Sequence, residues 1–136
     1  KSDPSEMSRI ELADDADTIM KKVKKAKSDA DALPSEATGL ADRPEALNLV
    51  TIYAALAGQS ADEVLGTYGG QGFGAFKPAL GELMVETLAP ISSRFRELVE
   101  DREALDAILA RGAALARERA VPTLAATYEA LGLVRG

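Results

Sequence analysis

The sequence predicts an all-α fold, a helical bundle of about five helices with proline kinks near Pro90 and Pro122, preceded by a short extended loop. Three observations carry this. Alanine and leucine are abundant and aromatic residues are only 4% of 136, and Ala and straight-chain side chains lose little rotamer freedom in a helix. Apolar residues recur at intervals of three and four over long stretches. No alternating apolar run of useful length marks a strand.

Residues 1 to 13 read as a polar loop with an extended piece from Arg9 to Leu12. The first helix is expected near Asp14, because Asp14, Asp15 and Asp17 gather at its start and lysines crowd its end, as the helix dipole favours. Residues 28 to about 42 form a loop broken by Pro34 and Gly39. Asp42 followed by Arg43-Pro44-Glu45 restarts a helix, with Asp42 as N-cap, a first-turn proline and a carboxylate reaching back. That helix runs to Ala57 with Ala46, Leu49, Val50, Tyr53, Leu56 and Ala57 on its apolar face, and Gly58 is its left-handed stop. Ser60-Ala61-Asp62-Glu63 is a capping box that opens a short helix burying Val64, Leu65 and Tyr68. Gly69 and Gly70 end it. A long amphipathic helix follows from Phe76 to Glu100, bent at Pro90 because proline cannot donate to the carbonyl of Glu86. From Asp101 a last helix is expected to turn Leu105, Ile108, Leu109, Gly112, Leu115 and Ala116 inward, with Pro122 breaking or kinking it. No repeat or second domain boundary is evident.

Composition narrows the chemistry. The chain contains no cysteine and no histidine, which removes disulfides, thiolate metal sites, His-based general base catalysis and the commonest zinc ligand. A net charge of −6 argues against broad coating of nucleic acid, which needs surplus Lys and Arg to displace counterions. A local basic patch is still compatible with docking one folded RNA. No apolar run approaches membrane-spanning length and no secretory leader opens the chain, so a soluble, cytoplasmic protein without a membrane partner is expected.

Several local patterns bear on function. At about 100° per residue, Lys21, Lys22, Lys24 and Lys25 share one face while Ile19, Val23 and Ala26 fall opposite. Packing the apolar side projects a basic stripe outward, either a weak phosphate contact for RNA or a solvated face balanced by the aspartates. Gly70-Gln71-Gly72-Phe73-Gly74 looks superficially like a phosphate cradle. Without a preceding strand or a full dinucleotide fingerprint it reads instead as a tight interhelical turn. Asp14, Asp15 and Asp17 lack the turn glycine and distal bidentate carboxylate of a calcium loop, so no metal site is expected. Arg94, Arg96, Arg102, Arg111, Arg117 and Arg119 either read an RNA loop or solvate the bundle.

The opening Lys1-Ser2-Asp3-Pro4 looks like the end of a phosphate-gripping loop. Together with Arg9-Ile10, the stretch from Asp14 to Ile19, the lysine run, Arg43-Pro44-Glu45 with Asn48-Leu49, Ile52-Tyr53, Gly69 to Gly74 with Phe76-Lys77, and Thr127-Tyr128-Glu129-Ala130 with Gly132, it resembles bacterial tryptophanyl-tRNA synthetases from their KMSKS signature onward. Lys1 and Ser2 stand where that signature's last two letters would be. The resemblance implies two parts: residues 1–13 as the end of the ATP loop and its connection, and residues 14–136 as the helical C-terminal domain that helps bind the anticodon arm. It implies a class I synthetase that activates tryptophan with ATP and Mg²⁺ and transfers it to its tRNA, with Lys1 as the catalytic cation on the ATP phosphates and Ser2 beside it. Lys21, Lys22, Lys24 and Lys25 would be minor tRNA contacts. The intact enzyme would be a homodimer whose main contacts lie outside this stretch, and the fragment alone would be inactive, with no cofactor bound. The alternative from the residues themselves is a stand-alone helical protein-interaction module that meets neither ATP nor RNA.

Overall fold

The computed structural model describes residues 4–134. Five α-helices and two short 3₁₀ turns make up the described secondary structure, and no strand occurs among the described residues. The helices are α1 (Ala16–Lys25), α2 (Pro44–Ala57), α3 (Ala61–Tyr68), α4 (Phe73–Glu100) and α5 (Arg102–Leu131), with 3₁₀ turns at Glu6–Ser8 and Ala37–Leu40. The chain falls into two compact units, Lys1–Phe95 and Arg96–Gly136. The sequence carries no punctuation at that boundary, because it falls inside α4.

In the first unit the caps do much to set the helix ends. Asp15, one residue later than the expected start, caps α1 by accepting from the Thr18 N–H. Ser60 and Glu63 form the full capping box on α3, the Ser60 oxygen accepting from Glu63 N–H and the Glu63 carboxylate accepting from Ser60 N–H. The expected Asp42 cap of α2 does not form. Arg43 occupies the N-cap without a side-chain cap bond, and Pro44 fills the first turn, where its missing N–H costs nothing. Gly58 ends α2 at φ 65°, the left-handed conformation that glycine adopts without a Cβ penalty. α4 starts at Phe73, three residues earlier than expected, and contains both Pro78 and Pro90.

The core lies wholly in this unit. Ile19 and Val23 of α1, Ala46, Leu49, Val50 and Ala54 of α2, Val64 and Leu65 of α3, and Phe73, Phe76, Leu80 and Met84 of α4 converge there. Leu33 and Leu40, from the segment read as a plain loop, are also in it, 2% and 0% exposed. The loop is held by backbone bonds from Leu33 N–H to Gln71 O and from Gly70 N–H to Leu33 O. Gly69 is required at this crossing: a Cβ there would come within 2.5 Å of the Leu65 carbonyl oxygen and 3.0 Å of Ser35 Cα. Arg43 closes the other end, donating through Nε and Nη2 to the Asp29 carboxylate and reaching the Ala32 and Asp31 carbonyls. The described part of the opening segment, residues 4–13, is not a detached loop. Ile10 packs against the core, and Met7, Ser8 and Arg9 line a cavity of about 190 Å³ with α1, α2 and α4.

The second unit differs. α5 is one continuous helix of 30 residues, capped by Asp101 and ended by Gly132 at φ 63°, and it passes through Pro122 without a break. No residue of α5 is buried. The expected inward face is therefore corrected: Ile108, Leu109 and Leu115 are 40%, 60% and 56% exposed, and Gly112 and Ala116 are exposed as well.

Candidate functional site

Lys1 and Ser2 lie outside the described residues. The lysine-rich helix α1 can be placed, and it divides the four expected stripe residues. Lys21, Lys24 and Lys25 are exposed and have no acidic partner among the described residues. Lys22 is not on that face. It is 6% exposed, and its ammonium donates to both Asp14 carboxylate oxygens at 2.8 and 2.6 Å. The sequence argument erred because α1 is enclosed over a wider arc than its aliphatic residues mark, and a long ammonium side chain is buried when a carboxylate meets it.

Asp14 is accordingly spoken for. Burial pushes its pKa up, but the Glu11 N–H it accepts and the Lys22 ammonium together outweigh this and hold it below the ordinary carboxylate value. Asp15 is the helix cap. The aspartate cluster thus serves local structure, and no group of three His, Cys, Asp or Glu able to hold a metal ion occurs among the described residues.

A groove of about 760 Å³ runs between α1 and the first turns of α4. Met20, Phe73 and Pro78 supply its apolar surface, Gly74 an open stretch of wall, and Lys21, Lys24 and Lys77 its cations. Lys77 is fixed: its ammonium donates to the Ala26 carbonyl at 2.7 Å and sits 5.6 Å from the centre of the Phe73 ring. A cation at the carbonyl end of α1 is also favoured by the helix dipole. Sequence reasoning did not assign Lys77 to a site. Its one signal was its place in the series of family matches, because the contact that positions it spans 51 residues. The Gly70 to Gly74 stretch forms the expected turn between α3 and α4 and opens α4, with Gly70 at φ 78°.

Beneath the groove stands an aromatic cluster. The Tyr53 and Tyr68 hydroxyls are 3.1 Å apart, both rings lie against Phe76, and Phe76 meets Phe73 edge to face at 6.4 Å. The Tyr53 hydroxyl and burial push the Tyr68 phenol up to about 12, so it is a hydrogen-bonded structural group rather than a proton donor near neutrality. The six arginines of the last two helices, Arg94, Arg96, Arg102, Arg111, Arg117 and Arg119, are all exposed. No helix among the described residues is long and apolar enough to cross a membrane.

The described residues thus form an all-α domain with a lysine-edged groove. No family profile matches the chain. Individual proteins do. It is 58% identical over 135 residues to the tryptophan–tRNA ligase of Rhizobium meliloti (strain 1021), covering 99% of this chain and 38% of that protein. It is 58% identical over 132 residues to the tryptophan–tRNA ligase of Caulobacter vibrioides (strain ATCC 19089 / CIP 103742 / CB 15), and 53% over 135 residues to that of Agrobacterium fabrum (strain C58 / ATCC 33970), covering 97% and 99% of this chain and 38% of each relative. The chain belongs to the tryptophan–tRNA ligase family, and it spans about 38% of the length of these relatives.

Proposed function

We propose that this chain is the C-terminal part of an enzyme that activates tryptophan with ATP and joins it to its tRNA. The observation that carries the proposal is the match along 99% of the chain at 58% identity to a tryptophan–tRNA ligase. In this reading Lys1 and Ser2 end the loop that grips ATP. The Lys1 ammonium meets the charge that builds on the departing pyrophosphate while the tryptophan carboxylate attacks the α-phosphate, and Ser2 adds a donor to the same phosphates. A flexible ammonium suits this role because it follows a moving triphosphate as a point charge. Mg²⁺ would arrive on the ATP phosphates, as it commonly does, and so needs no protein cage of its own. Lys21, Lys24 and Lys25 present the exposed charge that tRNA phosphates require. Lys22, committed to Asp14, does not join them. The working enzyme is a homodimer in the cytoplasm, with its tryptophan pocket and main dimer contacts in the length of the relatives that this chain does not span.

The test is a chimera. Joined to the remaining length of the Rhizobium meliloti relative, the chain should restore tryptophan-dependent pyrophosphate exchange and charging of tryptophan tRNA, while the chain alone shows neither. Lys1→Ala in the chimera should reduce exchange far more than it reduces tRNA binding. A chimera that folds and binds tRNA but charges nothing would overturn the assignment. Exchange by the chain alone would overturn its dependence on the missing length. Failure to bind tRNA even at low salt would favour a protein-interaction module.

A further inference from the structure

We propose that the groove between α1 and the first turns of α4 receives one unstacked nucleotide of RNA, its base against Met20, Phe73 and the Gly74 wall and its flanking phosphates on Lys21 and Lys24. This rests on the tRNA-binding reading above and assigns to it a particular surface. Three observations lead there. The groove's volume of about 760 Å³ is within the range of small-ligand sites, and its walls mix apolar surface with a few cations, as a flat heterocycle on a charged backbone requires. Lys21 and Lys24 are three residues apart and so lie on one helix face. Both edge the groove and neither has an acidic partner among the described residues.

Gly74 is the third observation. Gly74 is the second residue of α4, and a glycine is required where φ is positive or where another part of the chain comes too close for a Cβ. Here no positive φ calls for it, and beyond its chain neighbours and the adjoining backbone of its own helix no atom lies within 4 Å of the place its Cβ would take. The missing side chain therefore makes room for no part of this chain, and it leaves bare backbone along the groove. Pro78, which also lines the groove, has no N–H to give to the Gly74 carbonyl four residues earlier. Lys77, pinned to Ala26, holds the Phe73 ring in place beneath.

The experiment measures binding of the whole chain to a tryptophan tRNA transcript and to an unrelated tRNA, by fluorescence anisotropy over a series of salt concentrations. Gly74→Leu puts a side chain into the groove without changing charge, and its Cβ has open space. It should weaken tryptophan tRNA binding about tenfold while leaving the salt slope unchanged and the thermal midpoint no lower, since stacking of one base is lost and phosphate contacts remain. Lys21→Glu with Lys24→Glu should weaken binding and flatten the salt slope by about 1.4, the value for two single-strand phosphates. If the wild-type chain binds tryptophan tRNA selectively and Gly74→Leu binds it equally well, the groove is not a base site, and the tRNA reading survives without it. If the wild-type chain binds no tRNA at low salt, both fall. If a poly-glutamate peptide binds in a way that Gly74→Leu abolishes, while tRNA binding is unaffected, the groove belongs to a protein partner and the proposal is overturned.

Discussion

Phe76 and Leu115 are both large apolar residues within long helices. Phe76 is 0% exposed and Leu115 is 56% exposed. The difference belongs to the units that hold them. In Lys1–Phe95, four helices and the segment between α1 and α2 enclose one another, and fourteen apolar residues are buried in a single cluster. In Arg96–Gly136 the main element is one long helix, and a lone helix has no second surface to close over its apolar stripe. Periodicity therefore identifies a face, and burial needs a partner that periodicity does not name.

The largest effect that sharpens this contrast is expected at Phe76. Phe76→Ala removes the ring on which Tyr53, Tyr68 and Phe73 converge and leaves a cavity at the centre of the first unit, for a cost of about 3–5 kcal/mol. Urea unfolding followed by circular dichroism should show a large loss of the transition belonging to the first unit. A loss under about 1 kcal/mol would mean that this cluster is not the structural centre its burial indicates.

Next comes the buried ion pair. Lys22→Ala strands the Asp14 carboxylate, which is 11% exposed, and should cost about 2 kcal/mol at neutral pH. The sign with pH follows from Asp14, whose folded pKa is lowered. Its contribution is fully present above the unfolded value of about 3.9 and is lost as pH falls through the lower folded value. Without Lys22, burial is opposed by the Glu11 N–H but no longer by an ammonium, so the acid loss should begin at a higher pH in the variant. A parallel pair of acid titrations of stability, with no shift between them, would show that the pair is not formed in solution.

The third effect is smaller and compares two caps. Ser60→Ala breaks the capping box of α3 and should cost about 1 kcal/mol of the first unit's stability. Asp101→Ala removes the matching cap of α5, where Asp101 accepts from Ala104 N–H, and should change the unfolding of the first unit much less. Hydrogen exchange resolves the two, with faster exchange confined to the first turn of α5 in the second variant.

Sequence made much of this fold legible because its signals were local. The capping box at Ser60 and Glu63, the Pro44 start and Gly58 stop of α2, and the turn at Gly70 all depend on neighbours within a few residues. What escaped depends on distant ones. Leu33 and Leu40 sit in a segment with no period, and they are buried because α2, α3 and the turn after α3 surround that segment. Asp14 and Lys22, eight residues apart, pair because α1 packs inward on the side where they meet. The candidate site was half visible: Lys21 and Lys24 were named from their helix face, but Phe73, Lys77 and Pro78 complete the groove only once α4 is laid beside α1.

The smallest expected effect is the one most able to break the comparison. Leu115→Ala takes away a side chain already 56% in water and replaces it with the best helix former, so lost transfer energy and gained propensity nearly cancel, and a change within about 0.5 kcal/mol is expected. Leu109→Ala, at 60% exposure, should behave alike. These leucines then serve as an internal control for Phe76. If either substitution costs more than about 2 kcal/mol, the side chain is buried in solution by something beyond its own helix. A midpoint that rises with protein concentration would identify that cover as a second copy of the chain, since mass action stabilises an associated state. A concentration-independent loss would place the cover within the chain itself.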